Sequence, residues 1–312
     1  MEGIVIKSTG SWYSVLHSER IVTECKIKGN FRMKGMKTTN PCAVGDKVVF
    51  EMMPNEKIGI ITEINERFNC IIRKSTNLSK QRHIIAANID LAFLIVTISS
   101  PRTSTGFIDR FLVTAEAYHI PVIILINKID LYDFLTDKNH KFLKKLYTDA
   151  GYNCIDVSAK RGDNIETIIE LAKNKTSLFS GHSGVGKSEL INKLAPDLKL
   201  KTGEISDYHQ KGKHTTTFAE MFRLHFGGFI IDTPGIKEFG MVNFSKEEVT
   251  YFFPEMRALS NQCQFDNCTH EHEPKCAIKK AVAGGKISET RYLNYLNIIN
   301  GKEIDVEDWE LR

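Results

Sequence analysis

From the amino terminus to about residue 72, apolar and polar side chains alternate with a period of two in short runs, Gly3–Lys7, Trp12–Leu16, Ile21–Ile27, Lys47–Met52 and Ile58–Ile64. Turn formers separate them: Ser8-Thr9-Gly10, Gly29-Asn30, Pro41 and Pro54-Asn55. Alternation of this kind turns one face of each strand into a core. Five strands in so short a stretch predict a small barrel, OB-like first and SH3-like as the other option. After a basic linker the period changes. Apolar runs at Leu91–Ile98, Val122–Ile126, Asn153–Val157 and Ser177–Phe179 alternate with helical stretches near Phe107–Tyr118, Lys138–Asp149, Asn164–Lys173 and Lys187–Leu194. That order predicts βαβ units around a mostly parallel sheet, completed by Phe218–Phe226 and Phe229–Ile231. From about Ser245 the chain reads as helices around a cysteine-rich knot. The expectation is a multidomain α/β protein: an all-β barrel at 1–72, an α/β domain at 73–243 and a helical domain at 244–312.

Composition narrows the classes without choosing among them. Hydrophobic residues at 42% and charged residues at 26% of 312 are ordinary for a folded chain, which excludes global disorder and collagen-like sequence. The most apolar stretch, Ile84–Ser99, is broken by Asn88 and Asp90, and the amino terminus lacks the apolar core of a signal peptide. A cytoplasmic protein with no membrane partner is expected. Seven cysteines without a secretory signal argue against a disulfide framework. The net charge of +4 is mild, but its distribution is uneven. Arg20, Lys26, Lys28, Arg32, Lys34 and Lys37 face a single acid, Glu24, and Trp12 and Phe31 lie close by in sequence. Cations interleaved with aromatics are what neutralising phosphates and stacking bases require, and equally what a solvated loop beside core aromatics looks like. Lys279, Lys280, Lys286 and Arg291 suggest a second basic face.

Gly181-His182-Ser183-Gly184-Val185-Gly186-Lys187-Ser188 follows an apolar strand and opens a helix, the setting of a phosphate-binding loop. Glycines let backbone N–H groups turn onto phosphates, Lys187 reaches the terminal ones, and the Ser188 hydroxyl suits Mg²⁺. Asp232 ends the strand Phe229–Ile231 where a second magnesium residue is needed, and Gly235 can offer its N–H to a γ-phosphate. Asn127-Lys128-Ile129-Asp130 closes another buried strand. A carboxylate at Asp130 accepts guanine's N1–H and exocyclic amine, a pair adenine lacks, which argues against an ATP-using enzyme. Ser158-Ala159-Lys160 follows the next strand as a loop that supports the base. These motifs resemble the guanine-nucleotide signatures of Ras-like GTPases, but here the base-reading pair precedes the phosphate loop. Permuted order leaves a fold intact where termini lie close. It also requires the Asp130 and Lys187 loops to meet in space.

Thr202–Thr217 is polar and carries Gly203 and Gly212, so it reads as a mobile loop whose threonines 215 to 217 offer hydroxyls to Mg²⁺ and the γ-phosphate. Ile236 stands where Ras-like proteins place a water-orienting glutamine; His214 is the nearby group able to polarise water. Intrinsic turnover is therefore expected to be slow and accelerated by a partner that orders the loop. Cys263, Cys268 and Cys276 with His270 or His272 form a complete tetrahedral zinc shell with no open position, hence a structural site.

Together with Pro41-Cys-Ala-Val-Gly45-Asp46, Ala87-Asn88-Ile89-Asp90 and Lys213-His-Thr-Thr-Thr217, these motifs are similar to those of the RsgA family of circularly permuted GTPases over essentially the whole chain. The resemblance implies an OB-like RNA-binding domain, a permuted GTPase domain and a zinc-binding helical domain. It favours His270 as the fourth zinc ligand and Thr216 as the magnesium and catalytic threonine, with Lys187. It further implies GTP and GDP as ligands, Mg²⁺ with GTP, one structural Zn²⁺, and a monomer that docks on the small ribosomal subunit and its rRNA. Hydrolysis would time maturation and release; the other reading is an rRNA-binding module whose nucleotide only sets conformation.

Overall fold

The computed structural model describes residues 1–18, 20–28, 41–54, 56–74, 82–198, 219–232 and 244–302. The elements are β1 (Glu2–Ser8), β2 (Tyr13–His17), β3 (Ile21–Ile27), β4 (Lys47–Met52), β5 (Ile58–Ile64), β6 (Cys70–Lys74), β7 (Arg82–Ala87) and β8 (Leu91–Thr97). Strands then alternate with helices: α1 (Thr105–Ala117), β9 (Val122–Asn127), α2 (Phe134–Asp149), β10 (Asn153–Asp156), α3 (Ile165–Ala172), β11 (Thr176–Ser180) and α4 (Lys187–Leu194). They are followed by β12 (Glu220–Arg223), β13 (Phe229–Asp232), α5 (Lys246–Tyr251), α6 (Pro254–Ser260), α7 (Ala277–Ala283) and α8 (Glu289–Ile299). The chain divides into two units, one of residues 1–92, 166–179 and 191–242 and the other of residues 93–165, 180–190 and 243–312.

In the first unit the alternating runs close into a barrel. β1 pairs antiparallel with β2 and with β4, β2 with β3, β4 with β5, and β3 runs parallel to β5. Closure in the order 1-2-3-5-4-1 is OB topology and removes the SH3-like option. Its interior is Val5, Tyr13, Val15, Cys25, Cys42, Val48, Phe50 and Ile61. Gly59 is required where β5 passes over Cys25 and Phe50, because a Cβ there would stand 2.6 Å from the Cys25 sulfur. The same unit carries β11 parallel to β13, and β13 and β12 as an antiparallel hairpin turned by Gly227 and Gly228. β12 is shorter than the expected 218–226 because Leu224 is already in that turn, its N–H donating to the Gly228 carbonyl at 3.0 Å.

Two departures from the periodicity have local causes. The expected basic linker contains strands: β6 and β7 form an antiparallel hairpin, and position 72–73, where the period changes, lies inside β6. Helix α2 begins at Phe134 rather than near Lys138, because Asp133 and Thr136 make a reciprocal capping box.

The Pro41–Asp46 and Ala87–Asp90 motifs meet each other. Gly45, at φ +90°, donates its N–H to the Val5 carbonyl at 2.8 Å, and any Cβ on it would strike the Ala87 carbonyl oxygen. Asn88 Nδ2 donates to the Gly45 carbonyl at 3.0 Å, and Asp46 holds Arg67 through two 2.6 Å bonds. Both motifs thus form a junction between barrel and hairpin.

The second unit contains the run of neighbours β10–β9–β8, with β9 and β10 parallel. Every residue of β8 is buried, as a strand covered on both faces requires. Helices α1 and α2 belong to this unit, as do α5 to α8. No helix among the described residues is long and apolar enough to cross a membrane.

Candidate nucleotide-binding site and metal centre

Asn127 is the last residue of β9 and is buried. Its Nδ2 donates to the Val185 carbonyl of the phosphate loop at 2.8 Å, and its Oδ1 accepts the Ala159 N–H at 3.1 Å. One amide therefore joins the phosphate loop to the loop after β10. The fit is close: a Cβ on Gly186, which sits at φ +91°, would come 2.5 Å from Asn127 Nδ2. Gly184 is also left-handed at +85°, and a Cβ on Gly181 would meet the Ile95 carbonyl at 2.6 Å.

Lys128 takes the left-handed region at φ 66° and donates through Nζ to the Ser100 carbonyl at 2.5 Å. Asp130 follows in a single 3₁₀ turn, where the Ser158 hydroxyl donates to its Oδ1 at 2.6 Å. That bond holds the Asp130 carboxyl below its ordinary value, against burial, which raises it, and with the Asp130 backbone N–H, Arg161 and Lys160 acting in the same direction as the bond. Asp130 is thus a fixed, ionised acceptor at the rim. Ser158 is kept in place by accepting the Arg161 N–H on its oxygen at 3.0 Å, while Lys160 is exposed. The requirement set by permuted order is met: the loops bearing Asp130 and Lys187 are neighbours through Asn127.

Other expected residues fall elsewhere. The His182 imidazole turns toward Thr103, whose Oγ1 lies 2.6 Å from Nε2. Ser183 is exposed, and Lys187 and Ser188 open α4 as partly exposed residues. Asp232 ends β13, and its side chain lies outside the described residues, as do all of Thr202–Thr217, including His214 and Thr216, and Gly235.

Cys263, Cys268, His270 and Cys276 gather with their ligand atoms all within 4.8 Å of one another. Cys263 Sγ lies 3.6 Å from His270 Nδ1 and 4.0 Å from Cys276 Sγ, and His270 Nδ1 lies 3.3 Å from Cys276 Sγ. A tetrahedral zinc shell has S–S and S–N edges of about 3.8 and 3.6 Å, so the four residues fit that ion. His272 is exposed, leaving His270 as the imidazole. Burial pushes the Cys268 thiol up to about 12, and its neighbouring sulfurs add to this; a divalent cation is what stabilises several thiolates so close together. Cys276 also caps α7, its sulfur accepting the Lys279 N–H at 3.5 Å.

Glu273 carries no motif, yet it orders this knot. Burial alone would raise its carboxyl, but hydrogen bonds from the Thr269 hydroxyl and from the N–H groups of Thr269 and His272 hold it at about 2. Behind the knot, Tyr292 and Tyr295 donate to the His270 and Thr269 carbonyls at 2.6 and 2.7 Å.

Arg291 is not part of a basic face. It is buried on α8, pairing through Nη1 with Asp109 of α1 at 2.5 Å and through Nε with Glu255 of α6 at 2.7 Å. Phe253 packs over its guanidinium at 4.7 Å. Burial opposes its charge, but the two carboxylates prevail and keep it cationic. Lys279, Lys280 and Lys286 remain at or near the surface. On the barrel, Lys26 Nζ lies 4.4 Å from the Trp12 ring centroid and Lys28 is exposed, while Phe31, Arg32, Lys34 and Lys37 are outside the described residues.

Comparison with known proteins agrees with this arrangement. The family model described as RsgA GTPase matches residues 64–242, and that of the RsgA N-terminal domain matches residues 2–61. A protein of Bacteroides fragilis named small ribosomal subunit biogenesis GTPase RsgA is 54% identical over 97% of both chains. One of that name from Flavobacterium psychrophilum is 53% identical over 97% of this chain and 94% of its own. Among solved structures, YjeQ from Thermotoga maritima superposes with a TM-score of 0.77 at 35% identity, covering 96% of this chain and 97% of its own. YloQ, described as a circularly permuted GTPase, gives 0.74 at 31% identity over 96% and 94%. With phosphate and base loops joined in permuted order, a five-stranded barrel ahead of them and a Cys₃His knot behind, the chain belongs to the RsgA family of GTP-hydrolysing P-loop enzymes.

Proposed function

We propose that this chain docks in its GTP-bound form on an immature small ribosomal subunit, acts at a late step of its maturation, and leaves when the GTP is hydrolysed. The observation that carries the reading is the Asn127 side chain, which ties a phosphate loop to a loop bearing a guanine-type acceptor. The relatives' names supply the subunit as partner. In this reading Asn127, Lys128, Asp130 and Ser158–Lys160 take the guanine. The N–H groups of Gly181–Gly186 and Lys187 take the phosphates, and Gly235 contributes its N–H at the γ-phosphate. Ser188, Asp232 and Thr216 hold Mg²⁺, which neutralises phosphate charge when bound. His214 orients the attacking water, the role that Ile236 cannot fill. Cys263, Cys268, His270 and Cys276 hold one zinc ion without an open position, so that ion is structural.

Residues 1–72 and the surface lysines of 244–302 serve as the RNA-contacting parts on either side of the GTPase segment 73–243. The protein acts as a cytoplasmic monomer. The test is GTP hydrolysis with and without purified small subunits. Stimulation that weakens steeply with salt is expected from phosphate contacts. Equal rates with and without subunits, or equal affinity for ATP and GTP, overturn the reading. His214→Ala is expected to lose most hydrolysis while nucleotide affinity stays within a few-fold; unchanged turnover removes His214 from the mechanism.

A further inference from the structure

Residues 98–104, between β8 and α1, carry no nucleotide-binding signature, yet they touch both halves of the site. The Ser100 carbonyl accepts Lys128 Nζ. Pro101 lies against Gly184, where a Cβ would stand 3.1 Å from Pro101 Cδ. Thr103 Oγ1 is 2.6 Å from His182 Nε2. Thr103 is itself pinned to the end of β8: its N–H donates to the Thr97 carbonyl at 2.9 Å, and its Oγ1 accepts the Thr97 N–H at 3.0 Å.

The partners assign the proton on His182. Nδ1 lies 3.0 Å from the Ser183 carbonyl, which can only accept, so Nδ1 carries the hydrogen. Nε2 of the neutral ring is then the acceptor and takes the hydroxyl hydrogen of Thr103. Burial favours this neutral ring, and Lys128 adds to the effect against the Ser183 carbonyl. Phe107 of α1 closes the contact edge-on at 5.6 Å. Every polar atom of the chain Thr97–Thr103–His182–Ser183 that takes part is satisfied by the next.

A glycine-rich loop needs such outside support. Gly184 and Gly186 have no side chains with which to hold it, and ordering glycine is entropically costly. Asn127 holds the loop at Val185, and His182 holds it at a second place. We propose that His182, braced by Thr103, is a positioning residue that keeps the N–H donors of residues 183–188 in ligand-ready shape. Loss of the brace leaves ordering to be supplied on binding, which weakens GDP and GTP alike and so raises KM without lowering kcat.

The inference rests on the site being a guanine-nucleotide site, and the experiment separates the two. Fluorescent GDP and GTP analogues are titrated into the full-length wild type, His182→Ala, His182→Gln, Thr103→Val, the His182→Ala/Thr103→Val double variant and Lys187→Ala, with melting followed in parallel. His182→Ala is expected to weaken both nucleotides about tenfold, equivalent to about 1.4 kcal/mol, with kcat within about twofold. Glutamine, whose amide oxygen reaches the place of Nε2, should restore affinity to within about threefold of wild type. Thr103→Val should weaken binding alone and add little to His182→Ala, because both remove the same bond. Wild-type affinity in His182→Ala, fully additive losses in the double variant, or a failure of glutamine to rescue in a protein that melts normally would overturn the brace. A wild type that binds neither nucleotide, or a Lys187→Ala variant that binds as well as wild type, would instead overturn the site itself.

Discussion

The loops around Asn127 and the knot around His270 are both built from irregular backbone, with left-handed residues at Lys128, Gly184 and Gly186 in one and at His270 and Lys275 in the other. They are held by opposite means. In the nucleotide loops, side chains bond to backbone groups and, at Ser158, to the Asp130 carboxylate, and Asn127, Thr103 and Ser158 each have their partners within the protein. In the knot, three thiols and an imidazole crowd with their ligand atoms all within 4.8 Å of one another, and burial and mutual repulsion disfavour the thiolates. A divalent cation at their centre would offset that cost. The first region is therefore held by bonds within the protein, whereas the second presents a donor set that fits a metal ion.

The largest expected effect breaks the second region and spares the first. Stripping zinc with a chelator, or replacing Cys268 with serine, should release α7 and α8, since structural zinc sites contribute on the order of 10 kcal/mol. Hydrogen exchange would then rise in 263–302 and stay low in β8 and β9; unchanged exchange in α7 would contradict a metal-built knot. Next comes Arg291→Met, which leaves the buried Asp109 and the partly buried Glu255 without their cation and should cost about 3–5 kcal/mol in denaturant unfolding. Adding Asp109→Leu should return part of that loss, and strictly additive losses would count against a coupled ion pair.

Effects on the nucleotide loops should be smaller and read in binding. Asn127→Ala strands the Val185 carbonyl and the Ala159 N–H, so GDP affinity should fall by roughly 30-fold, or about 2 kcal/mol, with the melting of the knot unaltered. The smallest effect is Ser158→Ala. The folded-state pKa of Asp130 lies below its ordinary 3.8, so the acceptor is fully present above that value and is lost as pH falls through the depressed one. Removing the Ser158 hydroxyl should move the acid limb of GDP binding to higher pH, and a limb that stays in place would mean that other groups set the Asp130 charge.

Periodicity made the barrel strands and the βαβ alternation readable because each face of those elements has one environment. It missed the β6–β7 hairpin because Arg73, Lys74, Arg82 and His83 interrupt the apolar positions at both strand ends. Arg291 reads as a surface cation for a related reason: nothing near it in sequence announces Asp109, which lies far away along the chain. Motifs carried the reading of ligand chemistry, since phosphate loops and zinc shells need particular atoms at particular spacings. They said nothing of the supports. Thr103, Glu273 and the Gly45–Asn88 junction act through contacts that only the folded chain brings together.

Asn127 meets two backbone groups of opposite polarity, a carbonyl on one side and an N–H on the other. A side chain there must carry one donor and one acceptor on the same carbon, at that reach and no longer. Aspartate would set charge against the Val185 carbonyl, glutamine would overshoot, and serine would fall short. Position 127 thus works like a keyed joint between the glycine-rich loop and the loop after β10. Drift in its chemistry would be felt first as lost registry between those two loops rather than as unfolding.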